Sequence, residues 1–342
     1  MIEIDGSYGE GGGQLLRTAL SLSVISGKPF KIFNIRTKRE NPGLQPQHLA
    51  AVNAAAKISR AEVNGAQKDS TTLEFFPKGL FPGDYHFEIG TAGSSMLVLQ
   101  TILPPLIMSG SASNVIIEGG THNPMAPPYE FVANTYLPQL AKMGANVKVK
   151  LDRYGFYPAG GGKIRVVVNP CKLEKEFELI QRGHLIKMRA VSLLSSLPEH
   201  IAERELKVLK RQLGLDSDNL QIVKAKSISP ANVLFVFAEF ANITEVFTGF
   251  GRLGVRAEIV AGELAKEVDR YLELSAPVGG HLADQLLLPM AIGKGGRFVT
   301  ATLSSHSNTN IWIIQQFLPV NIKVEPYDDR RVIVEVKPDD QK

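Results

Sequence analysis

The order strand, turn of small residues, apolar helix, strand recurs three times along the chain, and this recurrence constrains the fold more than any other feature. Each turn is rich in Gly, Ser, Thr or Asn, whose small side chains let backbones approach closely. A second apolar helix accompanies each copy. In the first copy, the predicted strand, turn, helix and strand are residues 2–4, 6–13, 14–25 and 31–33. In the second copy they are 85–89, 90–95, 96–108 and 115–117, and in the third 297–303, 304–308, 309–318 and 322–324.

The accompanying helices are predicted at 46–59, 128–143 and 282–292. The spacing indicates internal repeats, each a small sheet with two helices packed on it. In this alignment of the repeats, the turn at 304–308 is the counterpart of the turn at 6–13. The fold class expected is α/β (α+β), with three repeats of this kind.

The third copy lies much farther from the second than the second lies from the first. The additional residues have an order of their own: a strand at 186–193, a helix at 198–213, strands near 222 and at 233–240, and a helix at 255–272. We interpret residues 185–272 as a smaller α/β domain inserted into the third repeat. Residues 1–184 and 273–338 then form the large, repeat-built catalytic domain.

Composition sets broad limits on location and partners. Hydrophobic residues make up 44% and charged residues 21% of the 342 residues, which is ordinary for a soluble enzyme. The single cysteine, Cys171, cannot form an intrachain disulfide, which fits a reducing compartment and a cytoplasmic protein. The most apolar run, 96–108, contains two prolines and is too short to span a bilayer. The net charge of +4 permits a nucleic-acid partner without requiring one.

The turn at 6–13 is glycine-rich and opens a helix, a position where backbone N–H groups can hold phosphate. It matches neither the P-loop nor the dinucleotide fingerprint, and a flexible connection that needs positive φ would look the same. Glu10 favours the functional interpretation, because a carboxylate beside phosphates is a suitable oxygen ligand for Mg²⁺. Arg17, in the first turns of the helix, could complete a site for a metal–triphosphate.

Two further segments allow more than one interpretation. Arg36, Lys38 and Arg39 precede a Pro-Gly turn and form either a solvated loop or an anion clamp. The three glycines at 160–162 predict a hairpin with a bulge, and we assign no chemistry to them.

His306 stands between a strand end and a helix N-terminus in the third copy. A lone histidine is more often a packing or surface residue than a catalyst. A neutral imidazole at this position could nevertheless attack a phosphorus atom, and the helix N-terminus would stabilise the negative charge that develops. No second histidine stands at metal-ligand spacing, which argues against zinc.

Several motifs, in order and over nearly the whole chain, resemble those of the RNA 3′-terminal phosphate cyclases. They are GEGGGQLLR (9–17), NPGL (41–44) with QH (47–48), GSSMLVLQ (93–100), NPMAPP (123–128), GFYPAGGG (155–162) and LADQL (282–286). The resemblance implies the same fold, three four-stranded repeats with a small inserted domain.

The resemblance also implies the reaction. His306 attacks the α-phosphorus of ATP and releases pyrophosphate, the AMP moves to an RNA 3′-phosphate, and the vicinal 2′-hydroxyl closes a 2′,3′-cyclic phosphate with loss of AMP. The implied partners are ATP, RNA with a 3′-terminal phosphate, and Mg or Mn.

The same resemblance assigns the remaining site residues. Glu10 is the expected metal ligand. The other assignments are nucleotide contacts for Gln100, Pro127, His281, Leu282, Ala283, Asp284 and Gln285, and phosphate or RNA contacts for Arg17, Arg39 and Gln47. The chain departs from the family pattern at His281, where a tyrosine often stacks on adenine, and at Tyr154, where a basic residue is usual.

Two alternatives belong to other functional classes. One is a cyclase-like factor without catalysis that acts in ribosomal RNA assembly, and such a protein would be expected to lack the nucleophile. The other is an enolpyruvyl-transferase-like enzyme, which shares repeated sheet-and-helix units but has no use for a histidine–nucleotide adduct.

Overall fold

The computed structural model describes residues 1–339 and arranges their strands in four four-stranded sheets. The first repeat pairs its strands in the order β1-β2-β4-β3, with β1 and β2 parallel. Its elements are β1 (Ile2–Asp5), α1 (Gly13–Ser26), β2 (Phe30–Phe33), α2 (Pro46–Ser59), β3 (Glu62–Asn64) and β4 (Leu73–Phe76).

The second repeat has the same connectivity, with the order β5-β6-β8-β7 and parallel β5 and β6. Its second helix contains one π-helical stretch, a feature frequent at functional sites. The elements are β5 (Asp84–Glu88), α3 (Ser95–Met108), β6 (Ser113–Gly119), α4 (Tyr129–Phe131), the π-helix Val132–Tyr136, α5 (Leu137–Met143), β7 (Val147–Arg153) and β8 (Gly162–Val168). The segment 154–161 joins the antiparallel strands β7 and β8 with a register shift at the end of β7, as the glycine run predicts.

The third repeat opens with the three-residue strand β9 (Phe177–Leu179), and the fourth sheet follows it in the chain. That sheet has the order β11-β10-β12-β13, and two long helices pack on it and on each other. Its elements are β10 (Leu185–Ser195), α6 (His200–Leu213), β11 (Leu220–Lys224), β12 (Ala231–Phe240), β13 (Thr244–Phe250) and α7 (Ala257–Leu274). The division at 184/185 and 272/273 stays a prediction; α7 itself ends at Leu274.

The chain then completes the third sheet with α8 (Gly280–Ile292), β14 (Gly296–Thr300), α9 (Ser305–Phe317), β15 (Val320–Pro326) and β16 (Val332–Pro338). Here β14 pairs in parallel with β9 and antiparallel with β16. The three repeats therefore share one pairing pattern, and the predicted fold class is confirmed.

The predicted alignment of the third copy is wrong by one helix. Since β14 is the second strand of its repeat, α8 is the counterpart of α1 and α3, while α9 is the counterpart of α2. The sequence pattern missed β9 because it is short and lies on the far side of the insertion. The turn before α9 thus corresponds to the turn before α2, and not to the glycine-rich turn.

The buried side of each sheet lies under its helices. In β6 and β8 buried residues alternate with more exposed ones, the pattern of a sheet with one face on the core and one in solvent. Within residues 1–339, no helix has both the length and the apolar character required to cross a membrane.

Candidate active site

The glycine-rich turn between β1 and α1 lies against the first turns of α9. Gly9 has φ of 57°, and a Cβ at this position would clash with Thr309 Oγ1. Only glycine therefore lets the turn approach α9 this closely. The approach brings residue 10 of the first repeat beside residues 305 and 306 of the third.

His306 is the second residue of α9, whose N-cap is Ser304. The Ser304 hydroxyl accepts a hydrogen bond from the Ser307 backbone N–H at 3.1 Å. The imidazole Nδ1 contacts Gln14 Oε1, and Nε2 lies 3.0 Å from Glu10 Oε2. Half of the side chain, 50%, is exposed, so a ligand can reach it.

The orientation of the Gln14 amide fixes which imidazole nitrogen carries a hydrogen. Gln14 Nε2 donates to Asp284 Oδ1 at 2.5 Å, which leaves Oε1 to accept from His306 Nδ1. Nδ1 is therefore the protonated nitrogen, and Nε2 is the one that can act as a nucleophile once it carries no proton.

Asp284 accepts hydrogen bonds from two side-chain amides, those of Gln14 and Asn310. Asn310 Nδ2 donates to its Oδ1 at 2.7 Å, and Thr18 Oγ1 donates to Asn310 Oδ1 at 2.8 Å. Burial raises the pKa of Asp284, while Gln14, His306, Arg17 and Asn310 oppose that rise. The network links α1, α8 and α9, and it holds the Gln14–His306 pair in place.

Glu10 contacts three side chains of the site. It accepts a hydrogen bond from the Ser305 hydroxyl, faces His306, and lies 3.6 Å from the Arg39 guanidinium. No group of three metal-ligating side chains occurs within residues 1–339. A single carboxylate nevertheless suits Mg²⁺, which usually binds through one or two carboxylates, waters and the phosphates of a substrate.

Arg17 supplies a positive charge that has no anion of its own in the described chain. Its Nε is enclosed and has no hydrogen-bond partner in residues 1–339. Burial lowers the pKa of Arg17 to about 10, and Asp284 partly opposes that effect. A partly buried guanidinium with an unpaired, enclosed Nε is costly, so this side chain fits a site that binds an anion.

The first helices of the three repeats meet at one narrow cleft, whose cavity volume is about 20 Å³. Thr18, Gln100 and Gln285 line it, and each is the sixth residue of α1, α3 or α8. Arg17, Asp284 and Tyr136 line the same cleft. Burial, together with Asp284, raises the pKa of Tyr136, which the π-helical turn places there.

The other predicted nucleotide contacts differ in how much of each residue is open to a ligand. Pro127 lies with Gln100 and Gln285 at a small adjoining cavity. His281 is exposed at the start of α8, whereas Leu282 and Ala283 are buried in the core. Their side chains therefore face packing partners, and only their backbone could contact a ligand.

Gln47 is assigned from the motifs as a phosphate or RNA contact, and Tyr154 is a position at which the chain departs from the family pattern. Gln47 is exposed at the start of α2, and a Cβ on Gly93 would lie 3.1 Å from its Cβ. Tyr154 packs with His122 and Phe156, at ring-centroid distances of 5.5 and 6.1 Å.

A carboxylate from the fourth sheet holds the N-terminus of α8. Glu245 on β13 is buried, and its Oε2 accepts a hydrogen bond from the backbone N–H of Gly279, the N-cap of α8, at 3.3 Å. Burial raises the pKa of Glu245 to about 8, and Glu267 adds to the rise. Glu267 on α7 also interacts electrostatically with His281.

Sequence reasoning missed the direct roles of Gln14, Ser305, Asn310 and His48. Gln14 falls within the glycine-rich motif, so a signal for it was present. His48 Nδ1 accepts from the Gln45 N–H at 3.1 Å. Burial, Arg17 and Arg36 lower the pKa of His48 to about 3, so it adds no charge beside Arg17.

Known proteins resemble this chain over most of its length. The family model described as RNA 3′-terminal phosphate cyclase matches residues 8–324. Proteins named RNA 3′-terminal phosphate cyclase are 51% identical over 325 residues in Koribacter versatilis (95% of this chain, 92% of the relative) and 46% identical over 331 residues in Pseudomonas fluorescens (96% of both).

One solved structure, the enolpyruvyl transferase NikO from Streptomyces tendae, aligns with 97% of this chain and 47% of its own at 8% identity. Its TM-score of 0.37 is too low to support any conclusion. The match of the family model and the identities of the two named relatives, by contrast, confirm the resemblance seen in the motifs. The chain belongs to the RNA 3′-terminal phosphate cyclase family.

Proposed function

We propose that the protein uses ATP to convert an RNA 3′-terminal phosphate into a 2′,3′-cyclic phosphate, with His306 as the nucleophile. The observation that carries the proposal is the environment of His306. Gln14 holds Nδ1, Nε2 faces Glu10 at 3.0 Å, and the side chain is half-exposed at a helix N-terminus.

In the first step, Nε2 attacks the α-phosphorus of ATP. A phosphorus–nitrogen bond forms, the bond to the bridging oxygen breaks, and pyrophosphate leaves with the electron pair. Arg17 and Arg39 are suited to bind the phosphates, because Arg17 has no partner for its Nε and Arg39 is exposed beside Glu10. Phosphoryl transfer depends mainly on such placement and charge neutralisation.

The Nε2 lone pair must be free for that attack. At 3.0 Å, the contact between Nε2 and the Glu10 carboxylate is favourable only with a proton between the two atoms. This proton must pass to solvent before the attack, while Gln14 keeps the other on Nδ1. A divalent ion, when bound, would neutralise phosphate charge, and the ionised Glu10 carboxylate would hold it.

In the second step, an oxygen of the RNA 3′-phosphate attacks the phosphorus of the adduct, and the imidazole leaves. The product is a mixed anhydride between RNA and AMP. The vicinal 2′-hydroxyl then attacks the 3′-phosphorus, loses its proton and displaces AMP. This ring closure is favoured because the hydroxyl is already held next to the phosphorus.

The proposal is tested by incubating the protein with α-labelled ATP and a divalent metal, in the absence of RNA. We expect a label that is stable in alkali and lost in acid, as a phosphoramidate is. His306→Ala should abolish the label, whereas His86→Ala, at an exposed histidine on β5, should keep it. Full labelling of His306→Ala would refute the nucleophile. No labelling of the unmodified chain would favour a non-catalytic RNA-binding factor.

A second RNA substrate tests the last step. An RNA that ends in a 3′-phosphate on a 2′-deoxy sugar is expected to be adenylylated and to stop there. Cyclic product from this RNA would show that the 2′-hydroxyl does not act as proposed.

A further inference from the structure

We propose that Tyr8 and Trp312 form a stacking platform for the base of the RNA 3′-terminal nucleotide; this inference rests on the proposed function. The two rings lie parallel, with centroids 4.1 Å apart and an interplanar angle of 19°. Tyr8 belongs to the glycine-rich turn, and Trp312 lies on α9, the helix that carries His306.

The glycine-rich turn follows one face of α9. Glu10 contacts Ser305, Gly9 lies against Thr309, and Tyr8 stacks on Trp312. Positions 305, 309 and 312 have the spacing i, i+4 and i+7, so they form a single stripe along the helix. His306 directly follows Ser305 and faces Glu10 as well, so the turn that carries Tyr8 also borders the nucleophile.

The separation of His306 and Trp312 along the axis of α9 suits a nucleotide. Trp312 follows His306 by six residues, which corresponds to about 9 Å along the helix axis. A phosphate held at His306 leaves its own sugar and base to extend over that distance. The base of the terminal nucleotide is the group that can reach the platform.

The Tyr8 ring is accessible for stacking. One face covers Trp312, yet 43% of the residue is exposed to solvent. An exposed aromatic ring beside a phosphate site is the usual means of binding unpaired bases without sequence preference.

Cations flank the platform as well. Lys38 Nζ donates to the backbone carbonyl of Ser7 at 2.8 Å, directly before Tyr8. Arg39 follows next to Glu10. One carboxylate, Asp5, lies on the same side and accepts from the Ser7 N–H at 2.9 Å. An RNA backbone passing the aromatic pair would thus meet positive charge on the side of the 36–39 loop.

The decisive variants are Tyr8→Leu, which keeps an apolar cover on Trp312 but has no ring, and Tyr8→Phe, the matched control that keeps it. For Tyr8→Leu we expect the KM for a 3′-phosphorylated single-stranded RNA to rise about five- to tenfold, at the lower end of the contribution of one base–aromatic stack. Tyr8→Phe should behave as the unmodified chain.

Self-adenylylation without RNA separates this role from others. Both variants should label with ATP at the unmodified rate and with the unmodified KM for ATP. A raised KM for ATP in Tyr8→Leu would mean that the ring binds the nucleotide or shapes the turn, and it would overturn the proposal. An unchanged KM for RNA in that variant would overturn it too.

The RNA can be altered in place of the protein. A substrate whose terminal ribose lacks only its base should bind Tyr8→Leu and the unmodified chain equally. Because Trp312 is the only tryptophan in the sequence, its fluorescence reports on the platform, and complete RNA should change it while the abasic RNA should not. If the unmodified chain neither labels nor cyclises, the proposed function fails and the platform with it. Cyclisation with no effect of Tyr8→Leu refutes the platform alone.

Discussion

Replacing Glu245 with glutamine should change how the stability of the protein depends on pH. Glu245 is 4% exposed, and burial raises its pKa from the ordinary 4.5 to about 8. The charged and titratable groups that interact with it are Glu267, which raises this pKa further, and the Tyr271 hydroxyl. Glutamine has the shape of the neutral acid, and its oxygen can still accept from the Gly279 N–H.

The direction of the effect follows from the raised pKa. At pH values between the pKa of Glu245 in the unfolded chain, 4.5, and its pKa in the folded protein, about 8, the folded protein binds a proton that the unfolded chain does not. The stabilisation is therefore complete below about pH 4.5 and is lost as the pH rises through about 8. The difference between the two pKa values corresponds to a loss of at most about 5 kcal/mol of unfolding free energy at high pH.

The assay is urea unfolding at about pH 6 and about pH 9. The unmodified chain should lose several kcal/mol of unfolding free energy relative to Glu245→Gln across that range. Glu273→Gln, at an exposed carboxylate on α7, is the control for a simple change of net charge. Equal pH dependence in the unmodified chain and Glu245→Gln would refute the argument that Glu245 is protonated in the fold.

Four further changes test other contacts. Gln14→Met removes the partner of His306 Nδ1 and should slow self-adenylylation about 100-fold, because the ring is no longer held; labelling rates measure this. Arg17→Met should abolish ATP binding yet raise the unfolding free energy by about 1 kcal/mol, since a partly buried guanidinium whose Nε has no hydrogen-bond partner is removed. Arg182→Met loses bonds of 2.8 Å to the carbonyls of Tyr271 and Leu272 and should cost about 2 kcal/mol in urea unfolding. His281→Tyr should lower the KM for ATP several-fold in steady-state assays, because a larger aromatic face is offered to the base.

The repeated elements could be predicted from sequence because the hydrophobic periodicity of each helix and the turn residues at its ends indicate the same bounds. The helix expected at 14–25 is observed as Gly13–Ser26, where Gly27 with φ of 70° ends it. The helix expected at 46–59 is observed at the same residues. The alignment of the third repeat with the other two could not be predicted, because the parallel partner of β14 is a three-residue strand that precedes the whole fourth sheet.

The candidate site could be predicted only in its outline. The glycine-rich turn and His306 each carry a local signal, and the motif resemblance joins them. The bond from Gln14 to Asp284 spans 270 positions and the bond from Thr18 to Asn310 spans 292, so no local pattern reveals either. Leu282 and Ala283 are assigned from the motif as a run, and their side chains lie in the core. Their nucleotide contacts stay a prediction that only their backbone could fulfil.

The charged side chains of the candidate site stand at positions where the three repeats differ in sequence. The fifth residues of the equivalent helices α1, α3 and α8 are Arg17, Leu99 and Asp284; Arg17 and Asp284 line the cleft, and Leu99 lines the small adjoining cavity. A strictly repeated sequence would place three like side chains there, either all apolar or all of one charge. The actual set supplies a cation, an apolar residue and an anion. Because Asp284 is committed to Gln14 and Asn310, Arg17 keeps its Nε free of partners, and the asymmetry leaves a positive charge available to a phosphate group.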